Sequence, residues 1–145
     1  MIRAITGHKP KIIGTAVLHD YELRIQDLTE VSTAGANVQQ MLRDNWGDTF
    51  KSYVIVPKPG VHINGTLFKL SIIDRHLVDE WELVQLGWYE RIFVTVELIK
   101  TGKKYRAETQ VLNPNQTAKT VAKPGYRSWL MPKRKFLEIA KKYRK

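Results

Sequence analysis

The sequence predicts an α+β fold in which a small mixed β-barrel or strongly curved sheet is flanked by short helices. Two observations predict it. Alternating, β-rich runs dominate the middle of the chain, at Ile12–Gln26, Lys51–Pro57, Val61–Leu70 and Tyr89–Lys100. Helical spacing is confined to the opening residues, to short stretches at 38–43 and 71–82, and to the last residues. The 145 residues suit one domain. A chain of this size buries about 68–70% of its unfolded surface, enough for a true core.

Met1–Lys11 opens with a short helical turn that carries Ile2 and Ile5 on one edge and stops at Gly7 and Pro10. From Ile12 to Gln26, Val17, His19, Tyr21, Leu23 and Ile25 alternate with Leu18, Asp20, Glu22, Arg24 and Gln26, and the Leu23/Ile25 side is expected to face the core. Residues 27–37 read as loop, and Val38–Arg43 as a short helix ending before Gly47. Lys51–Pro57 is a strand, and Pro57, Pro59 and Gly60 mark a turn before the alternation of Val61–Leu70.

Ser71 or Asp74 can cap a helix that runs to about Glu82, with Leu77 and Trp81 as an i, i+4 apolar pair. Tyr89–Lys100 is the strongest strand. Thr101-Gly102-Lys103-Lys104 turns it, and Tyr105–Leu112 returns until Asn113-Pro114-Asn115. Pro132 suits the first turn of a last helix, whose Phe136, Ile139, Ala140 and Tyr143 fall at i, i+3, i+4 and i+7. We divide the chain into a domain body, 1–115, and a C-terminal segment, 116–145, whose helix packs on that body.

Cysteine is absent, which excludes disulfides, thiolate nucleophiles and Cys-based metal sites. His8, His19, His62 and His76 lack ligand spacing, so no metal is expected. The longest apolar runs are too short to span a bilayer, and no basic-then-apolar leader opens the chain. A cytoplasmic protein without a membrane partner is expected.

The net charge of +10 is uneven. Residues 1–118 hold 14 Lys/Arg against 13 Asp/Glu, while residues 119–145 hold 10 Lys/Arg against Glu138 alone. Lys133, Arg134, Lys135, Lys141, Lys142, Arg144 and Lys145 are either the solvated face of a helix docked through Phe136, Ile139 and Tyr143, or contacts to the phosphates of a nucleic acid or to an acidic partner. Sparse interleaved aromatics make nucleic-acid binding weak at most.

The chemically richest stretch is Val78-Asp79-Glu80-Trp81-Glu82 with Trp88-Tyr89-Glu90-Arg91 close behind it. A carboxylate at such a helix-to-strand junction has two readings. It is a solvated helix end, with an ordinary pKa near 4.3. Or Trp81 and Trp88 exclude water from Glu82, Asp79 adds like charge, and the carboxyl becomes basic enough to act as a general base. Arg91 is expected to pair with Asp79 or Glu82, and a guanidinium on Glu82 would lower its pKa. Trp46 and Trp129 read as packing residues.

The ordered set Gly65-Thr66-Leu67-Phe68, Val78-Asp79-Glu80-Trp81-Glu82 and Tyr89-Glu90-Arg91 resembles the γ-glutamylcyclotransferase-like family, which includes the AIG2-like proteins. Upstream, Ile2–Pro10 looks like that family's first helix. Ala16–Leu23 is similar to its Ala-x-Leu-x-Gly-Tyr-x-Leu strand, and Ser52–Pro57 fits the strand after it. The resemblance covers roughly residues 1–113.

It implies that Glu82 takes a proton from the α-amino group of a γ-glutamyl substrate. That amine then attacks its own γ-carbonyl, 5-oxoproline closes and an amine or amino acid departs. Trp81, Trp88, Tyr89 and Arg91 are the substrate-binding candidates it implies. No cofactor is required, the partner is a small γ-glutamyl compound, and a homodimer is left open.

The family's Tyr-Gly-Ser/Thr-Leu loop lies just before its first helix, and this chain opens at or inside that helix. About ten residues of loop and strand, or a partner strand in their place, are therefore expected ahead of Met1, since a lost strand would leave an unpaired edge. Gly14-Thr15-Ala16 and Gly65-Thr66-Leu67 echo that loop but lie inside strands. The returning strand reads Ala107-Glu108-Thr109-Gln110-Val111 where the family often has Ala-x-x-Tyr-Val, so one wall of the pocket differs.

Overall fold

The computed structural model describes residues 2–32, 37–122 and 130–143, without the side chain of residue 143. The elements, in order, are α1 (Ile2–Thr6), β1 (Lys11–Asp27), α2 (Val38–Trp46), β2 (Lys51–Lys69), α3 (Ile72–Trp81), β3 (Tyr89–Leu98), β4 (Lys104–Leu112), β5 (Thr120–Val121) and α4 (Lys133–Tyr143). The packing expected of Trp129 and of the Tyr143 side chain, and the charges of Arg144 and Lys145, lie outside the described residues.

The sheet runs β2-β1-β3-β4, with every pairing antiparallel. It is curved but not closed, so of barrel and curved sheet the chain forms the sheet. β1 and β2 pair along nearly their whole length. The other edge of β1 meets β3 only at Ala16 and Val17, and β5 at Arg24 and Ile25. β3 and β4 form the expected hairpin, with Gly102 at φ 69° in its turn, a left-handed geometry that glycine adopts without strain.

Two expectations are corrected here. Pro57–Gly60 does not end a strand, because β2 continues through it. Tyr21 faces Pro57 while His19 faces His62, so residues 58–61 bulge opposite Asp20 alone. Asp20 (φ 65°) and Gly60 (φ 84°) take the left-handed turns, and the Gly60 amide donates to Asp20 Oδ1 at 3.0 Å. The second concerns the inner face of β1. Leu23 and Ile25 are only half-buried, and the deepest residues are Ala16, Leu18 and Gln26, on the opposite parity. Side-chain alternation could not report this, because the buried partners of Gln26 come from distant Trp88, just ahead of β3, and the 116–117 segment.

The helices gather on one core. Val38, Leu42 and Trp46 of α2, Val78 of α3 and Phe136 and Ile139 of α4 are all buried in it. A smaller cluster around Ala16, Leu18 and Val96 fills the strand half. Ser71 caps α3 by accepting from the Asp74 amide at 3.1 Å, so of the two candidate caps Ser71 is the one used. Among the described residues, no helix is long and apolar enough to cross a membrane.

Candidate functional site

The site is built where α3 ends. Glu82 is the residue that terminates the helix, its amide donating to Val78 O at 2.9 Å. Leu83 then takes a left-handed conformation (φ 50°), which is strained for a branched side chain, and it is buried there. A 3-10 turn at Val84–Leu86 and Gly87 at φ 80° reverse the chain into β3. That reversal brings Trp88 back beside Glu82.

Both residues line a cavity of about 290 Å³, at the small end of ligand cavities. Trp81 and Leu83 lie next to Glu82 on its rim. The start of β2 contributes Lys51, Ser52 and Tyr53. Met41, Asn45 and Trp46 of α2 and Phe136 and Ile139 of α4 form much of the remaining wall, with Leu130 and Met131 ahead of α4.

The walls are largely a chain of rings. Trp81 and Phe136 stand 4.9 Å apart, Phe136 and Trp46 6.0 Å, and Trp46 and Trp81 meet edge to face at 5.9 Å. Phe50 joins Trp46 at 6.1 Å to Trp88 at 5.8 Å. The indole N–H of Trp88 donates to Gln26 Oε1 at 2.9 Å, and Gln26 in turn donates to Thr117 O at 3.0 Å. Its wall position is therefore held by a fully buried amide.

Glu82 is half-buried, and part of its surface opens on the cavity. Among the described residues its carboxylate has neither a hydrogen bond nor an ion pair. Burial, and then the negative charge of Asp79, push the carboxyl up to about 7 from an ordinary 4.5. Asp79 itself is held on both oxygens, by Arg91 at 2.6 Å and by Gln110 at 2.9 Å. Of the two acidic partners open to Arg91, the structure shows Asp79.

The sequence candidates therefore separate. Glu82, Trp81 and Trp88 share the cavity. Tyr89 stands behind it: its hydroxyl donates to Tyr53 O at 3.2 Å and lies 3.4 Å from Ser52 Oγ. Burial, and then the charge of Glu82, hold the Tyr89 hydroxyl well above its usual range, so it stays a donor at neutral pH. Arg91 is outside the cavity lining, next to an open depression with Glu90 and Asn113.

Lys51, Ser52, Met41 and Gln26 were not singled out from the sequence. Their signal is absent locally, since each reaches the site through tertiary packing. The exposed residues of α4 include Lys133, Arg134, Lys141 and Lys142, whereas Lys135 turns inward and donates to Trp46 O at 2.9 Å. Among the described residues no three His, Asp or Glu gather as a metal set.

The AIG2-like family pattern matches residues 62–143, which include α3, Glu82 and α4. No curated protein matches the sequence. Among solved structures, a gamma-glutamyl cyclotransferase superposes with a TM-score of 0.62 at 20% identity, over 97% of this chain and 70% of that one. An uncharacterized protein from Homo sapiens superposes with a TM-score of 0.61 at 20% identity, over 81% of this chain and 60% of its own. This chain thus spans three fifths of that human protein. With more than half of its length matched, the chain belongs to the AIG2-like family and carries a γ-glutamylcyclotransferase-like fold.

Proposed function

We propose that this protein is a γ-glutamylcyclotransferase-type enzyme that converts a γ-glutamyl amine or amino acid to 5-oxoproline, with Glu82 as general base. The observation that carries the reading is the state of Glu82: half-buried, facing a cavity, without a cationic partner among the described residues, and with a carboxyl raised to about 7. Such a group is part ionised at neutral pH and still basic enough to accept a proton. Family membership and fold support the same reading.

In this mechanism the carboxylate of Glu82 takes a proton from the substrate's α-amino group. The freed nitrogen attacks the γ-carbonyl, forming the ring C–N bond. The tetrahedral centre then collapses, the old amide C–N bond breaks, and Glu82 returns the proton to the departing amine. No water is consumed. Because attack is intramolecular, most of the catalytic advantage comes from holding the substrate folded back on itself. The aromatic walls provide that confinement and exclude water.

The test is 5-oxoproline release from a panel of γ-glutamyl compounds by the protein and by Glu82→Gln. The expected loss is on the order of 10²-fold or more, the usual worth of a positioned base. Equal rates for the two proteins would end the catalytic reading.

A further inference from the structure

The start of β1, the end of β2 and the first turn of α3 make one corner of the molecule. Lys11 stands opposite Lys69 and Ile12 opposite Phe68 in the antiparallel register, and His8 Nδ1 lies 3.2 Å from Asp74 Oδ1. Residues 8–12 and 68–74 therefore run side by side. Three isoleucines stand in water there. Ile73 is 74% exposed and Ile72 68%, the highest values of any large hydrophobic among the described residues, and Ile12 is 58% exposed. Lys9, Lys11 and Lys69 are exposed around them, and the corner's one carboxylate, Asp74, is taken up by His8.

Neither propensity nor packing accounts for these side chains. β-Branched residues are weak helix formers, and the first turn of a helix favours acidic residues, yet α3 opens on Ile72 and Ile73. Lysines directly opposite each other on a strand pair repel. Such a corner suits a partner that is anionic at its surface and apolar just beneath.

We propose that this corner docks on the anionic surface of a lipid bilayer, with the isoleucines entering the interface and the lysines resting on the charged headgroups. The inference is independent of the catalytic reading. That no helix among the described residues can cross a bilayer bears on spanning, not on contact with a surface. The isoleucines line neither the Glu82 cavity nor the depressions beside Arg91 and along α4. They project, so a peptide finds no groove there, whereas lipid headgroups part around a projecting side chain. A second copy docked about a twofold axis would set the ammonium groups of Lys11 and Lys69 against their own counterparts.

Flotation of the full chain with vesicles is the test. It should bind vesicles of phosphatidylcholine and phosphatidylserine in equal parts, ignore those of phosphatidylcholine alone, and be released by high salt. Ile72→Ser with Ile73→Ser should weaken binding about tenfold, and Lys11→Gln with Lys69→Gln at least as much. All four side chains are already in water, so the urea midpoints should be no lower than the parent's. Because the chain has no cysteine, a polarity-sensitive dye on Ile73→Cys reports that position alone. Its emission should shift to the blue on the anionic vesicles, while the same dye on Leu137→Cys, on the outer face of α4, should not move. No binding to anionic vesicles, binding that the isoleucine pair does not affect, or a blue shift at Leu137 in place of Ile73 overturns the inference. So does a dimer in sedimentation that the isoleucine variant abolishes while vesicles bind neither protein, which would assign the corner to self-association.

Discussion

Asp79 holds the guanidinium that Glu82 does without. Arg91 and Gln110 between them occupy both oxygens of Asp79, and its charge is left to act on the unpaired carboxyl three residues later. One carboxyl is tied to a guanidinium and an amide, and the other, without them, is made a weak acid.

A pH–rate profile follows from this pair. kcat/KM for 5-oxoproline formation should rise about tenfold per pH unit at acid pH and level off near 7, where Glu82 ionises. Asp79→Asn removes the charge that raises Glu82 and frees Arg91, and both changes favour the ionised glutamate. The acid limb should therefore move to lower pH. A limb that stays in place would show that the rate is governed by some other group.

The same shift fixes the sign of a stability effect. The unfolded chain releases the Glu82 proton near 4.5 and the native protein near 7. Between these values the native state binds more protons, so rising pH removes stability that is fully present below 4.5. Glu82→Gln has no proton to lose. Its stability relative to the parent should grow from pH 4.5 to about 7 and then stay level, reaching on the order of 3 kcal/mol. Urea midpoints for both proteins at pH 4.5, 6 and 8 measure this, and a constant difference would contradict the burial of the carboxyl.

Local signals carried much of the fold. Ser71 marks the start of α3, Gly7 and Gly47 stop α1 and α2, and the alternation of Tyr89–Lys100 with Gly102 behind it specifies the β3–β4 hairpin. The same kind of signal misled at Pro57–Gly60, because a proline–glycine cluster reports backbone geometry and not whether a partner strand runs on across it. The site divides likewise. The Asp-x-aromatic-Glu spacing places Glu82 beside Trp81. Which acid Arg91 takes depends on the cross-strand register that sets Arg91 opposite Gln110, a non-local fact. The α2 and α4 wall lies more than 35 residues from Glu82 in the chain and leaves no mark near it.

Gln26 and Trp88 should be energetically coupled. Their hydrogen bond is 2.9 Å and buried, and removing either partner strands a polar group without water. Trp88→Phe and Gln26→Met should each destabilise by about 1–3 kcal/mol, and the double variant by less than their sum. A double-mutant cycle in urea should return a coupling of about 1 kcal/mol. Strict additivity would mean that the indole is held by its ring contacts alone.

The basic C-terminal helix is expected to be a structural part of the domain, and neighbouring residues of α4 can show it. Phe136 is 8% exposed and wedged between Trp46 and Trp81, while Leu137 is 45% exposed on the outer face. Phe136→Ala deletes a buried ring from a wall whose other members sit on separate elements and cannot all close in, so it should lower stability by about 3–5 kcal/mol. Leu137→Ala changes a side chain already in water and should stay within about 0.5 kcal/mol. Comparable losses from the two, measured by urea unfolding, would mean that α4 does not hold its docked position in solution. The aromatic wall facing Glu82 would then be open on that side, and more water would reach the carboxylate that the proposed chemistry needs shielded.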